Sequence, residues 1–260
     1  MNAVIIMPTY NEASNIEKMV YSILNQPVGV HVLVVDDNSP DGTGDILDRM
    51  ARDATARGRL HVLHRAGKMG VATAYIQGFR WALAHGFEAC IQMDADFSHD
   101  PLYLKNMITL ADSADIVIGS RYLNGISVIN WPLQRILLSW FANQYVEAIT
   151  KLGIHDCTSG YRLYRRRVLE ALDLETIQSS GYSFHVEMSF RARILGFRTA
   201  ETPIIFEERR TGLSKMSRKI IWEAARMPFL LRLREPLLRR RLTQYAVENA
   251  APEAAYDKAA

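Results

Sequence analysis

A series of short apolar runs, each followed by a helical pattern, limits the possible folds of this chain most strongly. The runs are continuous rather than alternating, which is typical of strands that are covered on both faces. Helical patterns with one apolar face separate them. This order predicts an α/β fold with a mainly parallel sheet and helices on both faces. The five predicted strands span residues 3–7, 30–35, 60–63, 89–93 and 116–119.

Polar residues follow three of these strands at the point where each apolar run ends. These clusters are Thr9–Glu12, Asp36–Asp37 and Asp94–Ser98. In an open α/β sheet, ligands bind outside the carboxyl ends of the strands. We therefore expect the three clusters to line one crevice.

The third cluster contains two carboxylates, Asp94 and Asp96, spaced one residue apart. In an extended chain such residues point to the same side and can converge on one point. Two carboxylates held that close repel each other unless a cation lies between them. Mg²⁺ or Mn²⁺, which take oxygen ligands and leave positions open for substrate phosphates, would suit this pair. The alternative is a polar loop in which Asp96 or Ser98 caps a helix that begins near Pro101.

Composition excludes several classes of protein. No apolar run approaches the roughly 20 residues that a membrane-spanning helix needs. Two cysteines in 260 residues indicate no disulfide framework and fit a reducing compartment. Neither a G-x-G-x-x-G nor a Walker A sequence is present, which disfavours a dinucleotide enzyme and a P-loop ATPase. The net charge is +3, yet residues 215–241 hold nine basic and two acidic residues.

The pattern changes after residue 119. A helix rich in large apolar residues is predicted over 133–152, a strand over 161–164, a helix over about 185–195 and a strand over 199–206. We expect one domain over 1–216, basic amphipathic C-terminal helices over 217–245 and a disordered tail over 246–260.

Seven segments between about residues 3 and 225 resemble the family 2 inverting glycosyltransferases of the GT-A fold, and together they are similar to its dolichol-phosphate (polyprenol-phosphate) mannose synthases. The resemblance implies transfer of mannose from GDP-mannose to a polyprenyl phosphate, with Mg²⁺ or Mn²⁺ as cofactor. The segments are Pro8-Thr9-Tyr10-Asn11-Glu12, Asp36 to Thr43, Gly70 to Tyr75, Asp94-Ala95-Asp96, Gly119-Ser120-Arg121-Tyr122, Thr158 to Tyr164 and Arg209 to Met216.

The resemblance also implies roles for individual residues. The expected metal ligands are Asp94, Asp96 and Ser98. The expected catalytic residues are Asp96, Arg121, Arg209 and Lys215. The expected nucleotide-sugar contacts are Pro8, Tyr10, Glu12, Val35, Asp37, Asp94, Ala95, Asp96, Arg121, Arg209 and Lys215. Arg135 is a further candidate for a phosphate contact. An acceptor phosphate is already anionic, so the reaction would have little need of a general base.

Three alternatives remain open at the level of sequence. The same fold could transfer glucose or another sugar to the lipid phosphate. A nucleotidyltransferase also uses paired acids, but it would normally carry a Gly-rich basic loop where this chain has Thr9–Glu12. A non-catalytic module that binds a nucleotide sugar or an anionic membrane is disfavoured by the paired acids and by the cationic residues Arg209 and Lys215.

A lipid acceptor requires contact with a bilayer. Two stretches, 133–152 and 222–241, combine aromatic and aliphatic residues, and the second adds five arginines after Phe229. Such a composition suits a helix lying in the membrane interface. We expect a cytoplasmic protein attached peripherally to the membrane, directly or through a separate membrane-anchoring subunit, with no nucleic acid partner. The alternative is that these helices pack on the chain's own sheet.

Overall fold

The computed structural model describes residues 1–53, 56, 58–207 and 218–249, without the side chains of 218–221 and 249. Its centre is a seven-stranded sheet in the order β3-β2-β1-β4-β7-β5-β8, and two further strands, β6 and β9, pair with each other. The strands are β1 (Ala3–Thr9), β2 (His31–Asp36), β3 (Leu60–His64), β4 (Ala89–Gln92), β5 (Ile116–Ser120), β6 (Val128–Ile129), β7 (Arg162–Arg165), β8 (Thr199–Pro203) and β9 (Phe206–Glu207).

Nine α-helices lie within the described residues. They are α1 (Ile16–Leu24), α2 (Thr43–Arg52), α3 (Val71–Ala84), α4 (Leu104–Leu110), α5 (Leu133–Thr150), α6 (Arg166–Ala171), α7 (Gly181–Ile194), α8 (Arg218–Leu233) and α9 (Glu235–Asn249). Short 3-10 turns at Pro101–Tyr103 and Leu174–Thr176 precede α4 and α7.

Both faces of the sheet are covered, which explains why its strands are continuous apolar runs. Along β1, Val4 and Ile6 face one core, whereas Ile5 and Met7 face the other. The first core also contains buried residues of α3 and α7, and the second contains those of α1, α2 and α4. The prediction of an α/β sheet with helices on both faces is confirmed.

One strand of the seven runs against the others. β7 pairs antiparallel with β4 on one side and with β5 on the other, whereas every other pairing in the sheet is parallel. Consequently the amino end of β7 lies at the same edge as the carboxyl ends of its neighbours. The loop 156–161 that precedes β7 therefore joins the strand-end loops at this edge.

The two C-terminal helices pack on the domain. Leu231 of α8 and Leu242 of α9 are buried in the core that contains α7. The α9 helix continues to Asn249, beyond the predicted end at residue 245, and Gln244 donates to Glu248 one turn later. Residues 246–249, predicted as part of the tail, are therefore helical. None of the described helices combines the length and apolar character needed to cross a membrane.

Candidate functional site

The paired acids lie immediately after β4, as the sequence predicts. The side chain of Asp94 is 45% exposed, and its Oδ1 lies 3.4 Å from the Tyr75 hydroxyl. Burial of Tyr75 raises its pKa well above the ordinary value, and the nearby Asp94 carboxylate raises it further. Tyr75 therefore stays protonated and can donate to Asp94 throughout the physiological pH range.

The second acid is held within its own loop. Asp96 Oδ1 accepts from the backbone N–H of Ser98 at 3.0 Å and from its hydroxyl at 2.6 Å. Ser98 itself is 3% exposed, so its hydroxyl supports the Asp96 carboxylate from the buried side. The adjacent Ala95, also predicted to contact the donor, is 3% exposed.

These donors fit a hard divalent cation. Asp94 and Asp96 offer carboxylate oxygens, the ligands that Mg²⁺ and Mn²⁺ prefer. In the part of the chain that the structure describes, no third Asp, Glu, His or Cys completes a metal-binding group with them. An ion held here would fill its remaining positions with water or substrate oxygens, as Mg²⁺ does in phosphate-transfer sites.

The loops after β1 and β2 are tied together by hydrogen bonds. The backbone N–H groups of Asn11, Glu12 and Ala13 donate to the side chains of Ser39, Thr43 and Asp41 at 3.0 to 3.1 Å. The left-handed φ of Asn11, 63°, turns the chain so that these donors point toward the second loop. Two of the predicted polar clusters therefore form one rigid wall of the crevice.

The two acids after β2 have different surroundings. Asp36 is 1% exposed and accepts from the Thr9 hydroxyl and from the N–H and hydroxyl of Ser39, so it stabilises the loops. Asp37 instead forms an ion pair with Arg65, with Oδ1 2.9 Å from Nη1. Burial raises the pKa of Asp37 even though Arg65 acts in the opposite direction.

The other predicted nucleoside contacts surround this pair. Tyr10 is 38% exposed, and the Lys68 ammonium lies 4.5 Å from the centre of its ring. Pro8 pairs with Val35 in the sheet, and Glu12 accepts from the Asn15 amide at 3.0 Å. Val35 is fully buried in the core, so in this conformation it shapes the wall from behind.

Arg121, which directly follows β5, is bound by a buried carboxylate. Its Nε donates to Oδ2 of Asp156 and its Nη2 donates to Oδ1, each at 2.7 Å. The backbone N–H of Arg121 donates to Oδ2 at 3.0 Å. Asp156 is 0% exposed and Arg121 5% exposed. Burial alone would raise the pKa of Asp156, but the Arg121 guanidinium more than offsets this and lowers it. The positive charge of Arg121 is therefore compensated before any ligand binds.

Aromatic rings connect Arg121 with the acidic loop. The guanidinium carbon lies 5.5 Å from the ring centres of Tyr122, Trp131 and Phe206. Phe206 also packs edge-on against His99, with ring centres 5.7 Å apart. A single ring thus separates the Arg121 guanidinium from the loop that carries Asp94 and Asp96.

An apolar cavity of about 630 Å³ lies between α5, α7 and α8 and includes Arg121 in its wall. Among the described residues, the cavity's second cationic lining residue is Arg135, whose guanidinium carbon lies 4.1 Å from the ring centre of Trp131. Apolar side chains form most of the remaining lining, among them Pro132, Leu138, Ala142, Val146, Val186, Met227 and Pro228.

The structure thus brings most of the predicted residues to one sheet edge. Pro8, Tyr10, Glu12 and Asp37 lie on one side of Asp94 and Asp96 in the strand order, and Arg121 lies on the other. Arg209 and Lys215 lie outside the described residues. Sequence reasoning missed Arg65 and Asp156, the partners of Asp37 and Arg121. Arg65 could have been found from its position directly after β3, whereas Asp156 gave no comparable signal.

The match to known families follows this geometry. Residues 4–173 match the model described as Glycosyl transferase family 2, which covers more than half of the chain. The chain belongs to glycosyl transferase family 2. This family 2 glycosyltransferase is 46% identical over 221 residues to a polyprenol monophosphomannose synthase from Mycolicibacterium smegmatis, covering 85% of this chain and 83% of that protein. It is 44% identical over 224 residues to an undecaprenyl-phosphate mannosyltransferase from Micrococcus luteus, covering 86% and 91%.

Solved structures confirm the GT-A fold of this family 2 enzyme. A glucosyl-3-phosphoglycerate synthase from Mycobacterium tuberculosis, in complex with Mn²⁺ and UDP, matches with a TM-score of 0.62 at 15% identity, covering 90% of this chain and 79% of that one. A mannosyltransferase from Pyrobaculum calidifontis, in complex with GDP-mannose and Mn²⁺, matches with a TM-score of 0.56 at 20% identity, covering 98% and 77%.

Proposed function

We propose that this enzyme transfers mannose from GDP-mannose to a polyprenyl phosphate, with inversion at the anomeric carbon. The observation that carries the proposal is the position of the apolar cavity, whose wall includes Arg121 directly after β5, at the sheet edge that also carries the paired acids. A nucleotide sugar and a lipid phosphate could therefore meet at this residue. The names of the two relatives, both mannosyl transfer enzymes for polyprenyl carriers, agree with this chemistry.

The donor would bind across the loops after β1, β2 and β4. Pro8, Tyr10, Glu12 and Asp37 would surround the nucleoside, with Val35 behind them. An ionised Asp37 can accept from the N–H groups of guanine, and Glu12 can accept from ribose hydroxyls. Arg65 fixes the Asp37 carboxylate from the buried side, and a hydrogen bond from the Met69 backbone holds the same carboxylate.

Asp94 and Asp96 would hold Mg²⁺ or Mn²⁺. Ser98, predicted as a third ligand, is buried and donates its hydroxyl to Asp96, so we propose that it supports that carboxylate. When bound, such an ion supplies Lewis-acid stabilisation of the departing diphosphate. Arg209 and Lys215 are proposed as further phosphate contacts from the segment outside the described residues. Arg would contribute bidentate contacts and Lys a compact point charge.

The acceptor would place its phosphate near Arg121 and Arg135 and its isoprenoid chain along the apolar wall. A phosphate oxygen attacks the anomeric carbon while the bond from that carbon to the diphosphate breaks, and the electron pair leaves with GDP. The acceptor is already anionic at neutral pH, so no side chain has to remove a proton. Catalysis then rests on positioning and on charge stabilisation.

Filling the cavity tests the acceptor site. Ala142→Trp adds bulk to the wall, so we expect transfer to polyprenyl phosphate to fail while GDP binding measured by calorimetry is kept. The matched control is Ala148→Trp, on the exposed side of the same helix and outside the cavity. Unchanged transfer in a folded Ala142→Trp protein would contradict the assignment of this cavity.

The metal and donor assignments have separate tests. Asp94→Ala or Asp96→Ala should abolish transfer and leave the thermal midpoint close to that of the wild type, since neither side chain lies in a core. Full transfer by either variant in EDTA would refute the metal site.

Calorimetry should show tighter binding of GDP than of UDP, and the reverse order would favour a glucosyl donor.

We also propose that α5 and α8 attach the enzyme peripherally to the cytoplasmic face of an anionic membrane. Six large apolar or aromatic residues of α5 are exposed, and Trp222, Phe229 and Leu233 of α8 are 76%, 58% and 79% exposed. Exposed apolar patches of this kind mark membrane or partner contacts. The six residues of α5 are Leu133, Leu137, Leu138, Trp140, Phe141 and Tyr145.

The C-terminal arginines contribute less to this surface than their number suggests. Arg239 donates to the Ile194 carbonyl at 3.1 Å, and Arg241 pairs with Asp173 at 2.9 Å. Arg232 pairs with Glu235, which Arg239 also contacts at 3.3 Å. These contacts attach α9 to α7 and to the loop after α6, or brace the junction of α8 and α9.

Apolar substitutions therefore give a cleaner membrane test than charge reversal of α9. We expect Phe141→Ser with Trp222→Ser to reduce flotation with vesicles of anionic phospholipid. Val247→Ser, on an equally exposed residue of α9, is the control. Absence of wild-type flotation at low salt would refute direct attachment and leave a separate membrane-anchoring subunit as the route to the bilayer.

A further inference from the structure

Where β4 ends, a histidine ring accepts the backbone hydrogen bond that a neighbouring strand would otherwise accept. The last sheet-like bond of this strand is made by Met93, whose N–H donates to the Ile6 carbonyl at 3.2 Å. The next N–H, that of Asp94, donates instead to Nδ1 of His99 at 3.0 Å. The chain thus leaves the sheet at the residue whose carboxylate faces the crevice.

This bond fixes the tautomer of His99. A backbone N–H can only donate, so Nδ1 must carry its lone pair and the ring proton must be on Nε2. The ring itself has little freedom, because His99 is 2% exposed and is stacked on Tyr161 with ring centres 4.9 Å apart. Phe206 packs against it edge-on.

The two ends of the acidic loop are therefore fixed separately. His99 holds the backbone of Asp94, and Ser98 holds the carboxylate of Asp96 through its N–H and hydroxyl. Between them Phe97 has a left-handed φ of 65°, which lets the chain turn back so that His99 reaches Asp94. A small displacement of the Asp94 backbone would move its carboxylate away from a shared ion.

We propose that His99 is a positioning residue, which sets the Asp94 carboxylate for the cation and the donor diphosphate through the Asp94 N–H. The inference rests on the metal site of the proposed function. Groups that orient metal ligands from the next layer typically change metal affinity or activity by about 10–100-fold when they are removed. His99 would act in this way through the backbone, because Oδ2 of Asp94 lies 3.8 Å from the same Nδ1, beyond hydrogen-bond distance.

Two substitutions separate this role from simple packing. In His99→Asn the amide oxygen lies one bond from Cγ, as Nδ1 does, so it can still accept from Asp94. In His99→Gln the acceptor lies one bond further, in the position of Nε2. We expect His99→Gln to weaken Mn²⁺ binding in the presence of GDP by about 10–100-fold, and His99→Asn to stay close to the wild type.

Mn²⁺ binding is followed by electron paramagnetic resonance, with transfer rates and thermal midpoints measured on the same proteins. Wild-type affinity in a folded His99→Gln protein would overturn the inference, as would equal losses in the two variants. A long-range ¹H–¹⁵N spectrum of the wild type gives a second test that needs no variant. It should show Nδ1 unprotonated and Nε2 protonated, and the opposite tautomer would overturn the inference.

The outcomes also distinguish this inference from the proposed function. If the wild type fails to bind Mn²⁺, the proposed metal site is refuted, and the role of His99 toward it falls as well. If the wild type binds Mn²⁺ and transfers mannose while His99→Gln does both equally well, only the positioning role is refuted.

Discussion

Removal of the Asp156 carboxylate should destabilise the enzyme more than removal of any exposed acid. In Asp156→Ala the Arg121 guanidinium, 5% exposed, loses both of its 2.7 Å carboxylate contacts and keeps the Thr158 hydroxyl at 2.8 Å. Breaking a buried ion pair from one side costs about 3–5 kcal/mol, because the remaining charge stays desolvated. We expect a loss of that size in the free energy of unfolding, measured by urea titration.

The matched control is Glu170→Ala, which removes the carboxylate partner of Arg166 at 2.6 Å on the surface. An exposed pair of this kind is worth about 0–1 kcal/mol. Asp156→Asn keeps the size and one acceptor oxygen, so its loss should fall between the two. If Asp156→Ala destabilises the protein no more than the Glu170→Ala control does, the argument that Arg121 depends on Asp156 is wrong.

Two further predictions concern packing and pH. A Cβ on Gly78 would lie 2.4 Å from Cγ2 of Ile6, so Gly78→Ala should destabilise the enzyme by about 1–3 kcal/mol. In contrast, Gly67→Ala, with no heavy atom within 4 Å of the added carbon, should not, and equal thermal midpoints for both variants would contradict the packing. Burial lowers the pKa of His31 and of His61 below the ordinary value of 6.5, so the folded state binds fewer protons than the unfolded state. Stability should therefore be complete above pH 6.5 and decline as the pH falls below it, and a flat profile of unfolding free energy between pH 7.5 and 5.5 would contradict this.

The strands of the parallel part of the sheet could be predicted because burial on both faces leaves a continuous apolar run. The position of β7 could not, because a four-residue strand carries no sign of its neighbours or its direction. The short strands β6 and β9 are too brief for any pattern. The α7 helix begins at Gly181, before the predicted start near residue 185. The prediction missed this start because a helix that is buried on nearly all sides lacks the apolar period from which its bounds are read.

The candidate site also contains residues that could be predicted from the sequence and contacts that could not. Asp94 and Asp96 could be placed from sequence because they follow a strong strand. The partner of Arg121 could not, since Asp156 is 35 residues away and reaches it only because β7 runs antiparallel. The hydrogen bond from the Asp94 N–H to His99 could not be predicted either, because a ring that accepts from a backbone amide leaves no pattern in the sequence.

The most direct test of the proposed function is a turnover assay with purified enzyme, Mn²⁺, polyprenyl phosphate and a labelled nucleotide sugar. GDP-mannose should give polyprenyl-phosphate mannose whose anomeric configuration, read by NMR, is opposite to that of the donor. UDP-glucose in its place should give far less product. Preferential transfer of glucose, retention of configuration or absence of transfer from GDP-mannose would contradict the account.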